Sequence, residues 1–131
     1  MWFFLLLATF ILTDVASTST GRIRLVNGTS SAEGRLEIYY NGTWGTVCDD
    51  LFDWAAAFVV CRQLGFRTGF SLGSTVSDGN GTIWLDNVHC NGTENRITEC
   101  QHLSWGVHNC GHHEDVGVYC LGFKDICGMW K

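Results

Sequence analysis

Residues 35–48 read RLEIYYNGTWGTVC, and this stretch decides the fold of the chain. Apolar and polar side chains alternate along 35–40, which is typical of a strand with one buried face. The dipeptide Asn41-Gly42 tolerates the positive φ angles of a two-residue turn, so 43–48 is predicted to return as a second strand. The stretch therefore predicts a β-hairpin.

Residues 53–64 read DWAAAFVVCRQL and predict the single α-helix of the chain. Asp53 is suited to cap the first turn, and Gly65 is suited to end the last one. One stripe at helical spacing contains Ala57, Val60, Cys61 and Leu64. Because Cys61 lies on this stripe, its side chain is predicted to point into the core.

Shorter segments complete the predicted fold class. Apolar alternation predicts further strands at 21–26, 82–88 and 116–120. The segment 70–81 is rich in Gly and Ser and is predicted to be a loop, while 94–100 is predicted to form a short helical turn. Strands around one helix indicate an α+β protein in which distant segments pair.

The first 19 residues predict a secretory signal peptide. Their apolar run, 2–12, is too short to span a bilayer, and small residues follow it as far as Ser19. No later segment approaches the ~20 apolar residues of a membrane span, so the mature chain is expected to be secreted. Eight Lys and Arg against 13 Asp and Glu give a net charge of −5, which argues against a nucleic-acid partner.

Four Asn-Gly-Thr sequons begin at Asn27, Asn41, Asn80 and Asn91. Each is an N-glycosylation acceptor in a secreted chain, although Asn-Gly by itself also predicts a turn. Four sequons in so short a chain favour glycosylation of at least some of them.

Seven cysteines also indicate an oxidising compartment, and six of them lie between 48 and 120. Spacing alone does not fix how six cysteines pair. The seventh, Cys127, has three interpretations: an interchain disulfide, a cap by a small thiol, or a partner cysteine missing from a truncated product. We favour a disulfide-linked homodimer, because an odd cysteine in a secreted protein often pairs between chains.

Seven short motifs follow one another between residues 24 and 115. They are RLV at 24–26, GRLE at 34–37, WGTVCDD at 44–50, VVCRQLG at 59–65, IWLD at 83–86, CNGTE at 90–94 and NCGHHED at 109–115. Together they resemble the scavenger receptor cysteine-rich (SRCR) family over residues 21–120, which leaves 121–131 as a C-terminal tail. The resemblance implies a curved antiparallel β-sheet that cradles one α-helix and is stapled by disulfides.

The resemblance also implies the disulfide pairing Cys48–Cys110, Cys61–Cys120 and Cys90–Cys100. The eight-cysteine form of the domain has one more bridge, and its two positions align here with Ala32 and Phe66. Both halves of that bridge are absent together, so the chain resembles the six-cysteine group.

Asp49, Asp50 and Glu114 are the candidate metal ligands. A Cys48–Cys110 bridge would bring together the carboxylates that follow the two cysteines, and hard oxygen ligands suit Ca²⁺. Taken alone, Asp49 and Asp50 are better interpreted as ordinary solvated turn residues. The resemblance favours a cation site, and Asp86 with Asn87 is a weaker candidate for a second one.

Other polar residues have simpler interpretations. The arginines that could add ligand contacts are Arg22, Arg24, Arg35, Arg62, Arg67 and Arg96, which the sequence alone treats as scattered on the surface. The histidines near Cys110 are His102, His108, His112 and His113, and their spacing matches no closed zinc site. The sequence contains no Ser-centred elbow, phosphate loop or HExxH motif, so no enzyme activity is expected.

The resemblance implies a secreted binding module of scavenger-receptor type. It would recognise extracellular polyanions, glycans or proteins with the help of Ca²⁺, in innate immune recognition or in clearance. The alternative is an accessory SRCR module of a larger receptor or enzyme, with a structural or protein-interaction role.

Overall fold

The computed structural model describes residues 19–123. The predicted signal peptide and Cys127 therefore lie outside the described residues, apart from Ser19. Within them the strands are β1 (Ile23–Asn27), β2 (Glu33–Tyr40), β3 (Thr43–Val47), β4 (Phe66–Gly73), β5 (Ile83–Leu85) and β6 (Gly117–Phe123), and the α-helix is α1 (Trp54–Gln63). Single 3₁₀ turns occur at Ile97–Glu99 and His112–Glu114.

The strands of the described residues form one curled sheet in the order β4-β6-β2-β3-β5. Strand β1 also pairs with β2 but lies outside this order. All these pairs are antiparallel except β3–β5, which is parallel and was not predicted. The sheet is thus mixed, and with α1 and three disulfides it confirms the predicted class of a curved, disulfide-stapled sheet around one helix.

The hairpin and the helix follow the sequence closely. In the hairpin, Tyr40 pairs with Thr43, and the turn residues Asn41 and Gly42 have φ angles of 50° and 78°. The Asp53 carboxylate caps α1 by accepting hydrogen bonds from the backbone N–H groups of Ala55 and Ala56. Gly65, at φ 95°, follows the helix in the left-handed region that glycine tolerates best.

Strand β4 corrects the prediction of a loop over 70–81, because the loop begins only after Gly73. This strand is held by distant pairing: Phe70 lies opposite Tyr119, and Gly69 lies opposite Cys120. A Cβ atom on Gly69 would lie 2.2 Å from the Cys61 sulfur, so glycine is needed where β4 crosses the disulfide. The predicted strand 82–88 is shorter than expected and is reduced to β5.

The core fills the space between the sheet and α1. Its fully buried side chains include Leu36, Ile38, Val47, Val59, Val60, Leu85, Ile97, Val116 and Val118. Cys61 is also fully buried, as the helical stripe predicted. Among residues 19–123, no helix is both long and apolar enough to cross a bilayer.

Candidate cation site at the Cys48–Cys110 disulfide

The described residues contain three disulfides, Cys48–Cys110, Cys61–Cys120 and Cys90–Cys100, and this is the pairing that the resemblance implied. Cys48 follows β3 and forms an isolated bridge with Asp115. One residue further on, the Asp49 N–H donates to the Glu114 carbonyl over 2.8 Å. The end of β3 is thereby fixed against the 3₁₀ turn that carries Glu114.

Asp49, Asp50 and Glu114 form the acidic cluster, a name used below for these three side chains. One carboxylate oxygen from each lies within 4.8 Å of the others, beside the Cys48 sulfur. All three residues are half-buried. The cysteine sulfurs cannot act as thiolate ligands, because both Cys48 and Cys110 are in the disulfide.

Asp86 adds another carboxylate beside the Cys48–Cys110 disulfide, close to Asp50. Its carboxylate is within the same 4.8 Å limit of Asp50, and only 1% of the residue is exposed. Asn109 joins the two, because its side-chain amide in its satisfied orientation donates to Asp86 at 3.2 Å and to Asp50 at 3.3 Å. The backbone N–H of Asn109 also donates to Asp86, at 3.3 Å.

Asp86 and Asn87, the candidates for a second cation site, are only partly brought together. Asn87 donates its backbone N–H to the Asp86 carboxylate at 2.7 Å, and the residue is part of the lining of a surface cleft. Asn109 was not singled out from the sequence. Its position directly before Cys110 was a usable signal, since the predicted disulfide places both neighbours of Cys110 close to Asp50.

The electrostatics of the acidic cluster favour a cation. Partial burial raises the pKa of Asp50, and the nearby carboxylates of Asp86, Glu114 and Asp49 raise it further. Within residues 19–123, the imidazole of His113 lies 3.3 Å from Glu114, but it is charged only when protonated. Bringing carboxylates together is unfavourable without a positive charge, and carboxylate oxygens are the ligands that Ca²⁺ prefers. The residues present therefore suit Ca²⁺.

Asp115 has a different role from its neighbour Glu114. Its buried carboxylate accepts hydrogen bonds from the Gly79 N–H at 2.8 Å and from His112 Nδ1 at 3.0 Å. His112 Nε2 bonds to the Gly81 carbonyl at 2.9 Å. His112 and Asp115 thus attach the loop after β4 to the turn that holds Glu114.

Most of the remaining histidines and arginines lie at the described surface, but Arg35 is buried, which corrects its expected place on the surface. The groups of residues 19–123 that are close enough to hold a metal contain no histidine. Arg24 and Arg35 both bind Glu37, at 2.7 and 3.3 Å. Arg62 donates to the Glu94 carbonyl, and Arg96 donates to the Thr20 carbonyl at 3.1 Å.

Aromatic rings cover part of the sheet. Tyr40 stacks on Trp105 with centroids 4.1 Å apart, and Trp84 packs edge-on against Tyr40. The guanidinium of Arg24 lies 4.1 Å from the ring centroid of Trp44. These rings pack against neighbouring side chains.

All four sequon asparagines, Asn27, Asn41, Asn80 and Asn91, are exposed. Asn27 is the last residue of β1 and Asn41 lies in the hairpin turn, with φ angles of 62° and 50°. Each of the four asparagines is therefore accessible to solvent in the folded chain.

The fold and the site define a disulfide-stapled module with an acidic cluster on its surface. A family model, the scavenger receptor cysteine-rich domain, matches residues 26–121. The chain therefore belongs to the SRCR family, whose domains are extracellular receptor modules.

Two relatives illustrate the sequence similarity. The chain is 52% identical over 99 residues to mouse macrophage receptor MARCO, covering 76% of this chain and 18% of the relative. It is 49% identical over 112 residues to an SRCR domain superfamily protein of Patiria pectinifera, covering 84% of this chain and 10% of the relative. The chain thus spans less than a fifth of the length of either relative.

Two solved structures illustrate the similarity of the fold. The SRCR domain of mouse MARCO in its dimeric form gives a TM-score of 0.66 at 52% identity, covering 76% of this chain and 95% of that domain. The third SRCR domain of murine neurotrypsin gives a TM-score of 0.70 at 44% identity, covering 76% of this chain and 94% of that domain.

Proposed function

We propose that this chain is a secreted ligand-binding module in which Asp49, Asp50 and Glu114 hold a Ca²⁺ ion. The ion would leave coordination positions open for a sulfate, phosphate or carboxylate of an extracellular polyanion, glycan or protein. The observation that carries the proposal is the convergence of three carboxylates within 4.8 Å.

The raised pKa of Asp50 supports the same proposal. A raised pKa means that ionised Asp50 is unfavourable, first because the group is partly buried and then because Asp86, Glu114 and Asp49 are close. A bound divalent cation would favour the ionised form of Asp50, because the charge of the cation exceeds any other in the site. It would also allow an acidic surface to bind an anionic ligand. A role in innate immune recognition or in clearance is consistent with membership of the family.

The proposal is tested by calorimetry with Ca²⁺ and then with dextran sulfate as the polyanion. Asp49→Ala and Glu114→Ala are expected to weaken Ca²⁺ binding at least tenfold and to abolish Ca²⁺-dependent binding of dextran sulfate. Asp78→Ala is the matched control, because Asp78 is an exposed acid outside the acidic cluster. An affinity for dextran sulfate that is equal in wild type and in the variants, and that chelator does not change, would rule out the cation mechanism.

A second candidate is an accessory module of a larger protein, with a structural or protein-interaction role. It is favoured by the small share of each relative that the chain spans, 10% and 18%. A transcript that continues this reading frame into a further domain would support the accessory module, and a polyanion affinity of the isolated chain that depends on Glu114 would favour the binding module.

A further inference from the structure

Trp54 is the most exposed of the large apolar residues among 19–123, at 67% exposure. It is the first residue of α1, and the Asp53 cap fixes the start of that helix. Aromatic side chains normally contribute large contact areas, so an indole that is open to solvent is a surface available to another group. Any group that covers Trp54 has to reach the first turn of α1.

The indole of Trp54 lies against Gly92, the middle residue of the sequon that begins at Asn91. A Cβ atom placed on Gly92 would lie 3.9 Å from Cζ3 and 4.0 Å from Cη2 of the indole. Gly92 has a φ angle of 101°, which glycine adopts readily, and the absence of a side chain leaves the ring next to the backbone. The exposed ring and the glycosylation acceptor are therefore neighbours in space, although they are distant in sequence.

The glycines of the other three sequons have different surroundings. At Gly42 and Gly81, a Cβ atom would meet nothing within 4 Å beyond the neighbouring residues of the chain. At Gly28, the three nearest atoms all belong to Glu33. The contact with an aromatic ring therefore distinguishes the sequon at Asn91 from the others.

The loop that carries Asn91 is fixed in place. The Glu94 carboxylate accepts the backbone N–H of Asn91 over 3.0 Å and that of Gly92 over 3.0 Å. Backbone hydrogen bonds, above all the one from Asn91, lower the pKa of Glu94, so its carboxylate is charged at neutral pH. Cys90, directly before Asn91, is held by its disulfide to Cys100. A sugar on Asn91 therefore starts from a defined position, and no loop has to be ordered for it to contact the indole.

Trp54, Phe58 and Arg62 form a row along one face of α1, because residues four apart are neighbours on a helix. The Arg62 guanidinium lies 5.0 Å from the ring centroid of Phe58, and it also donates to the Glu94 carbonyl. One end of the row is thus bonded to the loop that carries Asn91. Trp54 stands at the other end, beside the sequon, and keeps most of its surface exposed.

The side-chain amide of Asn91 is available to carry a sugar. The residue is exposed, and within residues 19–123 its hydrogen bonds to Glu94 use the backbone N–H and not the side chain. We infer that the first N-acetylglucosamine of a glycan on Asn91 packs the C–H face of its ring on the indole of Trp54. This packing removes apolar surface from water, while the hydroxyl groups on the rim of the sugar stay solvated. The glycan covers this face of α1 and leaves ligand binding to other surfaces, whether or not a cation binds at the acidic cluster.

The test uses protein secreted by cells that attach N-glycans, in the wild-type form and as Asn91→Gln. Hydroxyl-radical oxidation of Trp54, quantified by peptide mass spectrometry, is expected to be about threefold slower in the glycosylated wild type, because the sugar shields one face of the ring. Asn80→Gln is the matched control, since it removes an exposed sequon asparagine whose glycine contacts no aromatic ring. This control should leave the oxidation rate of Trp54 unchanged.

Thermal unfolding gives a second readout. The glycan on Asn91 is expected to raise the Tm of wild-type protein above that of Asn91→Gln, and this gain should be largely lost when both proteins also carry Trp54→Ala. Trp54→Ala should itself fold, because the side chain that it removes is exposed. The Tm difference between wild type and Asn80→Gln should be the same with and without Trp54.

Three results would overturn the inference. They are an Asn91 that carries no glycan in the intact mass, equal oxidation of Trp54 in wild type and Asn91→Gln, and a Tm gain from the glycan that persists in Trp54→Ala. None of them concerns Ca²⁺ binding, so this inference and the proposed function fail or stand separately.

Discussion

His112 and Asp115 form a half-buried ion pair at the edge of the candidate site, with His112 Nδ1 3.0 Å from Asp115 Oδ2. The other ring nitrogen, Nε2, lies 2.9 Å from the Gly81 carbonyl oxygen. Because both nitrogens face acceptors, the doubly protonated ring satisfies both contacts. Burial lowers the pKa of His112, but the Gly81 and Asp115 hydrogen bonds outweigh it and leave the pKa above its ordinary value.

This pair predicts a pH-dependent contribution to stability. A histidine with a raised folded-state pKa stabilises the protein fully below the unfolded pKa of about 6.5. The contribution is lost as the pH rises through the raised pKa. The Tm difference between wild type and His112→Gln should therefore narrow from mildly acidic to alkaline pH. His89→Gln, which alters an exposed histidine, should show no such trend, and a constant Tm difference for His112→Gln would contradict the prediction.

Asp50→Asn is expected to stabilise the protein in the absence of divalent cations. Burial and the neighbouring carboxylates raise the pKa of Asp50, so its ionisation opposes folding at neutral pH. The free energy of unfolding in chelator should therefore rise in this variant, and the rise should shrink as the pH falls and wild-type Asp50 becomes protonated. The same variant should lose the Tm increase that Ca²⁺ gives to wild type. Thermal unfolding with and without Ca²⁺ checks both expectations. A Tm in chelator that is lower for Asp50→Asn than for wild type would contradict the prediction.

Local signals made the hairpin and α1 predictable from the sequence. Asn41-Gly42 sets the turn, and Asp53 and Gly65 mark the two ends of the helix, all through interactions within a few residues. Strand β4 lacks such a signal, because it depends on β6, about fifty residues further along the chain. Gly69 lowers its strand propensity and is present because of the disulfide beneath it.

The candidate site was predicted in part, from the family resemblance and not from local sequence signals. The family resemblance supplied Asp49, Asp50 and Glu114, and the structure places their carboxylates together. Asn109 was missed because its two partners, Asp50 and Asp86, are distant in sequence and meet it only through the fold.

Glycosylation is expected at Asn41 because the tip of the hairpin exposes its side chain. Thr43→Ala removes the sequon and keeps the asparagine, so it should lower the intact mass of the secreted protein by one glycan. The same comparison applies to Asn27, Asn80 and Asn91, with Thr29, Thr82 and Thr93 as the residues to replace. Mass spectrometry before and after enzymatic glycan removal measures occupancy. An unchanged mass in Thr43→Ala would show that Asn41 is not used.

Cys127 is expected to link two copies of the secreted chain. Six of the seven cysteines are paired within the described residues, which leaves Cys127 as the remaining one. Electrophoresis without reductant should show a dimer that becomes a monomer on reduction. Cys127→Ser should be monomeric under both conditions. If unreduced wild-type protein is a monomer that carries the added mass of a small thiol, Cys127 is capped and does not link two chains.

The disulfides should differ in their contribution to stability according to the length of chain that they close. Cys61–Cys120 spans 59 residues and Cys90–Cys100 spans 10. Restriction of the unfolded chain then contributes about 4.2 kcal/mol for the long bridge and about 2.7 kcal/mol for the short one. All four cysteines are buried, so replacing each pair by alanine leaves a comparable loss of packing. Urea unfolding of the two double variants measures the difference. The Cys61→Ala/Cys120→Ala protein should be the less stable by about 1.5 kcal/mol. The opposite order would mean that strain or residual structure outweighs loop length in this domain.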